Sequence, residues 1–390
     1  MGADDSTLSA REAADLLGVS RPTLYAYVSR GLVVSEPGPG PSRARRYPRA
    51  AVQDLRERRA RGRDPAMAAH GALHWGTPVL DSALTLIEAG RPYYRGRDAI
   101  ALAATASFEE VAALLWTGAA GDAPDVFPPA PPDGAGPPDG DALARRLLAE
   151  GERAVAGVAA LGEAAPRRAG AVVQGLFASA GARGRGPLGQ RLARGWRRPS
   201  AAADITAALV LCADHDLNVS SFTARCVASA DAPLESALLA ALCALRGRRH
   251  GGMAERVAGL LAEAGRDGAR EAVAQALREQ GTLPGFGHEL YPEGDPRGAE
   301  LRASAAAAGP DEPLAAVAAR DRGELGLEPS LDIGLAAICR AHRLPPGAAF
   351  HLFALGRSAG WAAHAMEAAA DGRLIRPRSR YTGPAPGAVG

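Results

Sequence analysis

The sequence predicts an all-α fold, and three observations carry that expectation. Alanine supplies 89 of the 390 residues while aromatics make up only 5%, a composition weighted toward strong helix formers. Apolar residues recur at helical spacing over Phe108–Trp116, Ala201–Ala213, Leu234–Leu245 and Asp332–His342. Strand-type alternation is scarce, and no repeat of 20–50 residues is visible. The length suits one large domain with a small one, or two medium domains. With 47% hydrophobic and 23% charged residues, the chain reads as folded rather than disordered.

All 45 basic residues are arginine. The absence of lysine excludes Schiff-base catalysis and a Walker-type phosphate loop, both of which need that amine. Cys212, Cys226, Cys243 and Cys339 are widely spaced without a CxxC pair. They are expected to be reduced core residues. No apolar run approaches the roughly 18 residues of a membrane span, and the acidic start Met1–Asp5 lacks signal-peptide order. The expectation is a cytoplasmic, soluble chain.

Taken in order, the chain opens on a basic module. Twelve arginines against seven acids give residues 1–63 a net charge of +5, so the other 327 carry −3. Leu8–Leu17 reads as a short amphipathic helix with Ser9 as N-cap and Glu12 completing a capping box. Gly18-Val19-Ser20 turns the chain, and Ser20 caps a second helix, Arg21 to Ser29, with Pro22 in its first turn. That helix is expected to expose Arg21, Thr23, Tyr25, Tyr27 and Arg30. A Gly/Pro turn, the run Arg43–Tyr47 and a basic helix Arg49–Arg63 follow.

These segments, "LSAREAADLLGVSRPTLYAYVSRGLV" and "RRYPRAAVQDL", resemble the winged helix-turn-helix of the MerR and excisionase families. The resemblance implies Arg21 and Arg30 near phosphates, Thr23 and Tyr25 at base edges in a major groove, and Arg45 and Arg46 on a DNA backbone or minor groove. A packing or dimerisation appendage is the plainer alternative.

Two Pro/Gly-rich stretches punctuate the remainder. The tract 124–140 reads as an exposed loop or disordered insertion, and Gly181–Pro199 is another Gly/Arg/Pro-rich stretch. Beyond them, polar residues interrupt apolar text at "DHDLNVSSFTAR", "RHGGMAERV", "LPGFGHELYPEGDPR", "PSLDIGLAAI" and "GRSAGWAAHAMEAAADGRLIRPRSRYTG". Singly, each has an ordinary explanation. His215 could be a bonded core histidine, His250 a surface turn, and Gly285 and Gly287 a loop. Asp295 reads as an N-cap with Pro296 in the first helical position, and Asp332 could be another cap.

As an ordered set, with "PYYRGRDAIALAATASFEEVAALLWTG" upstream, these motifs resemble the citrate synthase family, including its 2-methylcitrate synthase members, over about Leu73 to Gly383. The resemblance implies an all-α homodimer with large and small domains in each subunit. The expected layout is a helix-turn-helix module at 1–63 and a synthase domain at 64–390, with a small subdomain at about 254–340. It implies Asp332 as the base that deprotonates acetyl-CoA or propionyl-CoA, His250 as the enolate stabiliser, and His288 as the group that polarises the oxaloacetate carbonyl. His215, Arg297 and Arg357 would bind oxaloacetate, and Arg376 would reach across from the partner subunit. The backbone of Leu283, Gly285, Phe286 and Gly287 would cradle the adenine end of CoA. No metal or further cofactor is expected. The products would be citrate or 2-methylcitrate and free CoA, as in the tricarboxylic acid cycle. The alternative is a DNA-binding regulator that uses the synthase domain as a metabolite sensor.

The sequence departs from the family pattern at Glu289, where many members carry Arg. Arg248-Arg249 stand where many read Pro-Leu, and "PSLDIG" is a looser form of a more common "PNVDF".

Overall fold

The computed structural model describes residues 7–29, 32–37, 45–53, 55–56, 80–129, 141–309, 311, 313–318, 326–384 and 386. The chain divides into two units, one of residues 1–81 with 377–390 and one of 82–376. The expected boundary at 63/64 lies outside the described residues.

In the first unit, Thr7–Ser9 (β1) precedes Ala10–Leu17 (α1) and Arg21–Ser29 (α2), followed by Glu36–Pro37 (β2) and Arg45–Pro48 (β3). Helix α1 begins at Ala10 rather than Leu8, because Leu8 is drawn into a strand opposite Tyr47. The expected capping box is present: Ser9 Oγ accepts the Glu12 amide, and Glu12 accepts the Ser9 amide at 2.7 Å. Gly18 ends the helix in the left-handed conformation, φ 63°. Ser20 Oγ accepts the Thr23 amide at 3.4 Å and opens α2. Strand β3 lies between β1 and β2, antiparallel to both. Leu8, Leu17, Leu24, Val33, Tyr47 and Val52 form the core beneath. Residues 49–53 and 55–56 are helical; the rest of the expected basic helix lies outside the described residues.

The second unit opens on a small antiparallel sheet of Thr85–Glu88 (β4), Arg91–Tyr94 (β5) and Arg97–Asp98 (β6). Thirteen helices of seven residues or more follow among the described residues. They are Ala99–Thr105 (α3), Phe108–Thr117 (α4), Ala142–Gly151 (α5), Ala165–Ser179 (α6), Leu188–Gly195 (α7), Ala202–Cys212 (α8), Val219–Ser229 (α9), Leu234–Leu245 (α10), Met253–Asp267 (α11), Ala269–Gln280 (α12), Pro296–Ala308 (α13), Leu331–Ala341 (α14) and Ala348–Asp371 (α15). All four periodic segments named from the sequence are helices. The Gly181–Pro199 stretch contains α7, whose Leu188 and Leu192 reach the core despite the surrounding glycines. One expectation needs correction. The 124–140 tract starts inside a helical turn, Ala123–Val126, held by buried Val126; residues 130–140 lie outside the described residues.

Two hydrophobic clusters organise this unit. The larger gathers Phe108, Leu115, Leu209, Leu238, Leu352 and Trp361 from α4, α8, α10 and α15. The smaller gathers Val257, Leu260, Val273, Leu283, Phe286, Ile333 and Ala336. Cys212 is buried and Cys226 and Cys339 half-buried, but Cys243 is exposed on α10, against the expectation of four core cysteines.

Close backbone approaches place the polar motifs. A Cβ on Gly298 would stand 2.4 Å from the Ser330 carbonyl, and one on Gly334 2.9 Å from Gly298. Helices α13 and α14 therefore cross in contact at their first turns, bringing residues 295–297 beside residue 332. A Cβ on Gly360 would stand 2.5 Å from the Ala213 carbonyl, so α15 presses on the end of α8 just before His215.

Replacing Gly298 with Ala is expected to destabilise the protein by about 1–3 kcal/mol in urea unfolding, as overpacking against backbone does. Gly259→Ala on α11, where the added Cβ meets nothing within 4 Å, is expected to stabilise it by up to about 1 kcal/mol.

Candidate active site

The histidine-bearing motifs and Asp332 converge within residues 82–376. The ring centroids of His215 and His288 are 5.3 Å apart, and those of His288 and Tyr291 5.0 Å apart. Tyr291 Oη lies 2.9 Å from His215 Nε2, and the Arg297 guanidinium stacks 5.2 Å from the Tyr291 ring. On the other side, His250 meets the edge of Phe353 at 5.7 Å, and Arg357 stacks on that ring at 5.0 Å.

Local sequence explains each placement. Asn218 caps α9 by accepting the Ser220 and Ser221 amides, which turns Ser220 toward His250 Nε2 at 2.9 Å. Asp295 caps α13, as the sequence indicated, and Pro296 takes its first position. Ser330, not Asp332, caps α14. Asp332 therefore projects from the helix's first turn, with Oδ2 accepting from Ser330 Oγ at 3.2 Å and Oδ1 buried without a hydrogen-bond partner.

Burial dominates the electrostatics. It raises the Asp332 carboxyl to about 6, against the pull of the Ser330 hydroxyl and the Arg297 charge. Burial lowers His250 to about 3, helped by Arg357, and His288 to about 4, helped by Arg297. His215 is pushed well below its ordinary value by burial and by both guanidiniums. All three imidazoles are consequently neutral near pH 7. Arg297 keeps its charge because Asp295 grips it twice, at 3.0 and 2.8 Å, which offsets the burial. His288 Nδ1 accepts the Leu290 amide at 3.2 Å, so the ring hydrogen sits on Nε2. Ser220 Oγ receives the Trp361 indole hydrogen at 3.0 Å, and its own proton has two acceptors, His250 Nε2 and Asn218 Oδ1 at 2.7 Å. When Ser220 donates to His250, the imidazole hydrogen is on Nδ1.

The loop Leu283–Gly287 is strapped to the segment leading into α14. Ser330 N donates to Gly285 O and Gly287 N to Glu328 O, both at 2.8 Å. Of the expected cradle, that carbonyl and that amide are thus already engaged. Leu283 and Phe286 are buried, and Gly285 (φ 80°) has Val257 and Ile333 where a Cβ would go. Glu289, Arg248 and Arg249 are exposed. Arg376 is exposed too, and does not join the cluster. The preceding Ile375 amide binds Ser229 Oγ, nine residues along α9 from Ser220, or about 13 Å.

In the first unit, Arg21 is exposed and Tyr25 is 51% exposed. Thr23 is half-buried with its hydroxyl on Ser20 at 2.8 Å. Arg45 donates to the Ser35 carbonyl at 2.8 Å, and Arg46 binds Thr7 twice at 3.2 Å. Both wing arginines thus spend donors on their own sheet. Arg30 lies outside the described residues.

Sequence reasoning missed Tyr291, Asp214, Ser220 and the second role of Asp295. The spacing His288-x-x-Tyr291 was the available signal for the first, and adjacency to His215 for the second. No group of three or more His, Cys, Asp or Glu among the described residues is arranged to hold a metal ion. None of their helices is long and apolar enough to cross a membrane.

The architecture is that of an all-α protein whose helices bury a cluster of neutral imidazoles, guanidiniums and carboxylates. The family model for the citrate synthase C-terminal domain matches residues 72–126 and 180–378, and a helix-turn-helix domain model matches residues 7–60. The chain belongs to the citrate synthase family and carries a helix-turn-helix domain at its N-terminal side. It is 36% identical over 192 residues to putative citrate synthase 2 of Mycobacterium tuberculosis, covering 47% of this chain and 52% of that protein. It is 33% identical over 204 residues to 2-methylcitrate synthase 2 of Corynebacterium glutamicum, covering 47% and 50%. The chain thus spans about half the length of the curated relatives it matches. A ternary complex of Thermoplasma acidophilum citrate synthase with carboxymethyl coenzyme A and oxaloacetate shares the fold, with a TM-score of 0.64 at 21% identity over 79% of this chain and 95% of that one.

Because burial raises the Asp332 carboxyl to about 6, from about 4 in the unfolded chain, its ionisation costs stability that builds up as pH rises from about 4 to 6 and is complete above pH 6. Asp332→Asn is therefore expected to raise the thermal midpoint at pH 8 and to do less at pH 5, measured by calorimetry.

Proposed function

We propose that the chain is a citrate synthase-type enzyme that condenses acetyl-CoA or propionyl-CoA with oxaloacetate. The observation that carries this reading is the convergence of Asp332, His250 and His288 on a pocket that also holds Arg297 and Arg357. Each group has a task suited to its state. Asp332, with a carboxyl near 6, is ionised at neutral pH and basic enough to take a thioester α-proton. Removal succeeds only if the forming enolate oxygen meets a donor, which His250 Nδ1–H supplies while Ser220 donates to Nε2. Nε2–H of His288 polarises the oxaloacetate ketone and carries the alkoxide charge as the carbon–carbon bond forms. Arg297, Arg357 and His215 hold the two carboxylates. Water then hydrolyses the citryl-type thioester, releasing CoA.

The smaller hydrophobic cluster falls within the expected small subdomain at 254–340, which we assign to domain closure over the substrates. Assembly is read as a homodimer in which Arg376 serves the partner's pocket. The match to a 2-methylcitrate synthase supports propionyl-CoA as an alternative acyl donor. A methylene is worth only about 1–3 kcal/mol of discrimination, so the acyl preference is set by pocket shape.

Purified protein mixed with oxaloacetate and either acyl-CoA is expected to release free thiol; folded protein without release above background overturns the reading. Asp332→Asn is expected to lower kcat by about 10²–10⁴-fold with oxaloacetate binding retained. The pH profile of kcat/KM is expected to fall on the acid side near pH 6 as Asp332 protonates. The two catalytic imidazoles, neutral down to about 3 and 4, add no second step above pH 5.

A second reading applies to the helix-turn-helix domain. Exposed Arg21 and Tyr25 on α2, together with the family match over 7–60, support binding to duplex DNA. Arg21→Ala is expected to weaken binding across all sequences and to flatten its salt dependence by about one phosphate contact. Failure to enrich any sequence in a binding selection with the full chain overturns it.

A further inference from the structure

Behind Arg357 runs a line of buried polar groups that the proposed reaction does not use. Asp214 is fully buried immediately before His215. Its Oδ2 accepts the Thr85 hydroxyl at 2.6 Å, and its Oδ1 lies 3.3 Å from His364 Nε2. Across the same ring, His364 Nδ1 lies 3.2 Å from Arg225 Nη1. Arg225 pairs with Glu367, whose other oxygen accepts the Ala83 amide at 2.8 Å. The line runs from the pocket to a partly exposed carboxylate on the last turns of α15.

Chemistry fixes the direction of each hydrogen. A guanidinium only donates, so the His364 nitrogen facing Arg225 must present a lone pair. The ring hydrogen is then on Nε2, the edge that lies 3.3 Å from Asp214 Oδ1 as a close approach rather than an aligned hydrogen bond. An imidazolium would set N–H against N–H at the Arg225 end. Asp214 is also walled in, because a Cβ on Gly360 would stand 2.4 Å from its Oδ1. Burial works against its charge, but His364, Arg357 and Thr85 together hold the carboxyl below its ordinary value. Arg357 itself is anchored through Nε to the Cys212 carbonyl at 2.7 Å, two residues before Asp214.

We propose that His364 is a positioning residue: its Nε2 edge, 3.3 Å from Asp214, keeps that carboxylate in place as a nearby counter-charge to Arg357, which sets Arg357 and the adjoining His215 for binding a dicarboxylate, while Arg225 and Glu367 lock the His364 tautomer. This rests on the reading of the pocket as the oxaloacetate site. The reaction gains nothing from His364 directly, so its loss acts on one substrate only.

The test pairs His364→Leu with His364→Gln, whose amide supplies both a donor and an acceptor. His364→Leu is expected to raise the KM for oxaloacetate about tenfold or more, with kcat and the acyl-CoA KM within about threefold of wild type. His364→Gln is expected to restore the oxaloacetate KM to within about threefold. An unchanged oxaloacetate KM in His364→Leu overturns the proposal, as does a parallel fall in all parameters in both variants. Independently of turnover, ¹⁵N-histidine NMR of the wild-type chain is expected to show the neutral Nε2–H tautomer for His364, assigned by its loss in the variants. The Nδ1–H tautomer or an imidazolium at pH 7 overturns the proposal whether or not the protein is active. Absent thiol release with the expected tautomer would instead count against the oxaloacetate reading.

Discussion

The Asp295 carboxylate joins three requirements that would otherwise conflict. It caps α13 by accepting the Arg297 amide, grips the Arg297 guanidinium, and accepts the Leu331 amide at the start of α14. A fully buried guanidinium is tolerable only with such a partner, since an unpaired buried charge is severely destabilising. The same carboxylate ties the helix that bears Arg297 to the helix that bears Asp332. Gly298 and Gly334 make the tie short enough by letting the two backbones touch. One acid therefore sets both the positive charge and the distance between that charge and the Asp332 carboxyl.

Around this pair the pocket keeps its imidazoles uncharged. Two guanidiniums and burial act in the same direction on His215, and one guanidinium joins burial on each of His250 and His288. Neutral rings here are hydrogen-bond donors rather than acids; the Leu290 amide fixes the tautomer of His288, and the Ser220 hydroxyl faces Nε2 of His250. Asp332 moves the opposite way under the same burial, so the ordinary order is inverted: the carboxyl, at about 6, lies above His288 at about 4 and His250 at about 3. Such a split pairs a comparatively basic carboxylate with imidazoles that stay neutral over the same pH range.

Much of this was legible in the sequence because the chemistry-bearing residues break apolar helical text. Helical period located the α4, α8, α10 and α14 segments to within a residue or two. The sharp glycines and histidines between them marked the pocket. Ser9 and Asp295 were readable as caps because capping chemistry is local. What stayed hidden depends on contacts between distant segments. Nothing near Leu8 shows that it will pair with Tyr47 and become a strand, and nothing near Arg46 shows that Thr7 will occupy its guanidinium. Asp332 looked as much like a cap as a base until Ser330 was seen to fill that position. Tyr291 and Asp214 were marked only by their nearness in sequence to His288 and His215, and His364 by nothing; the approach of His364 to Asp214 comes from α15 lying against the end of α8.

The strap between Leu283–Gly287 and residues 328–330 has one more consequence. Its two backbone bonds and the Phe286–Pro329 bridge leave only Leu331 between the strapped stretch and the carboxylate at 332. Whatever motion the smaller cluster undergoes, that loop and that carboxylate travel as one rigid piece. A shift of that cluster would change how far the carboxylate stands from His215, but its offset from Phe286 is built in, like two teeth on a single gear.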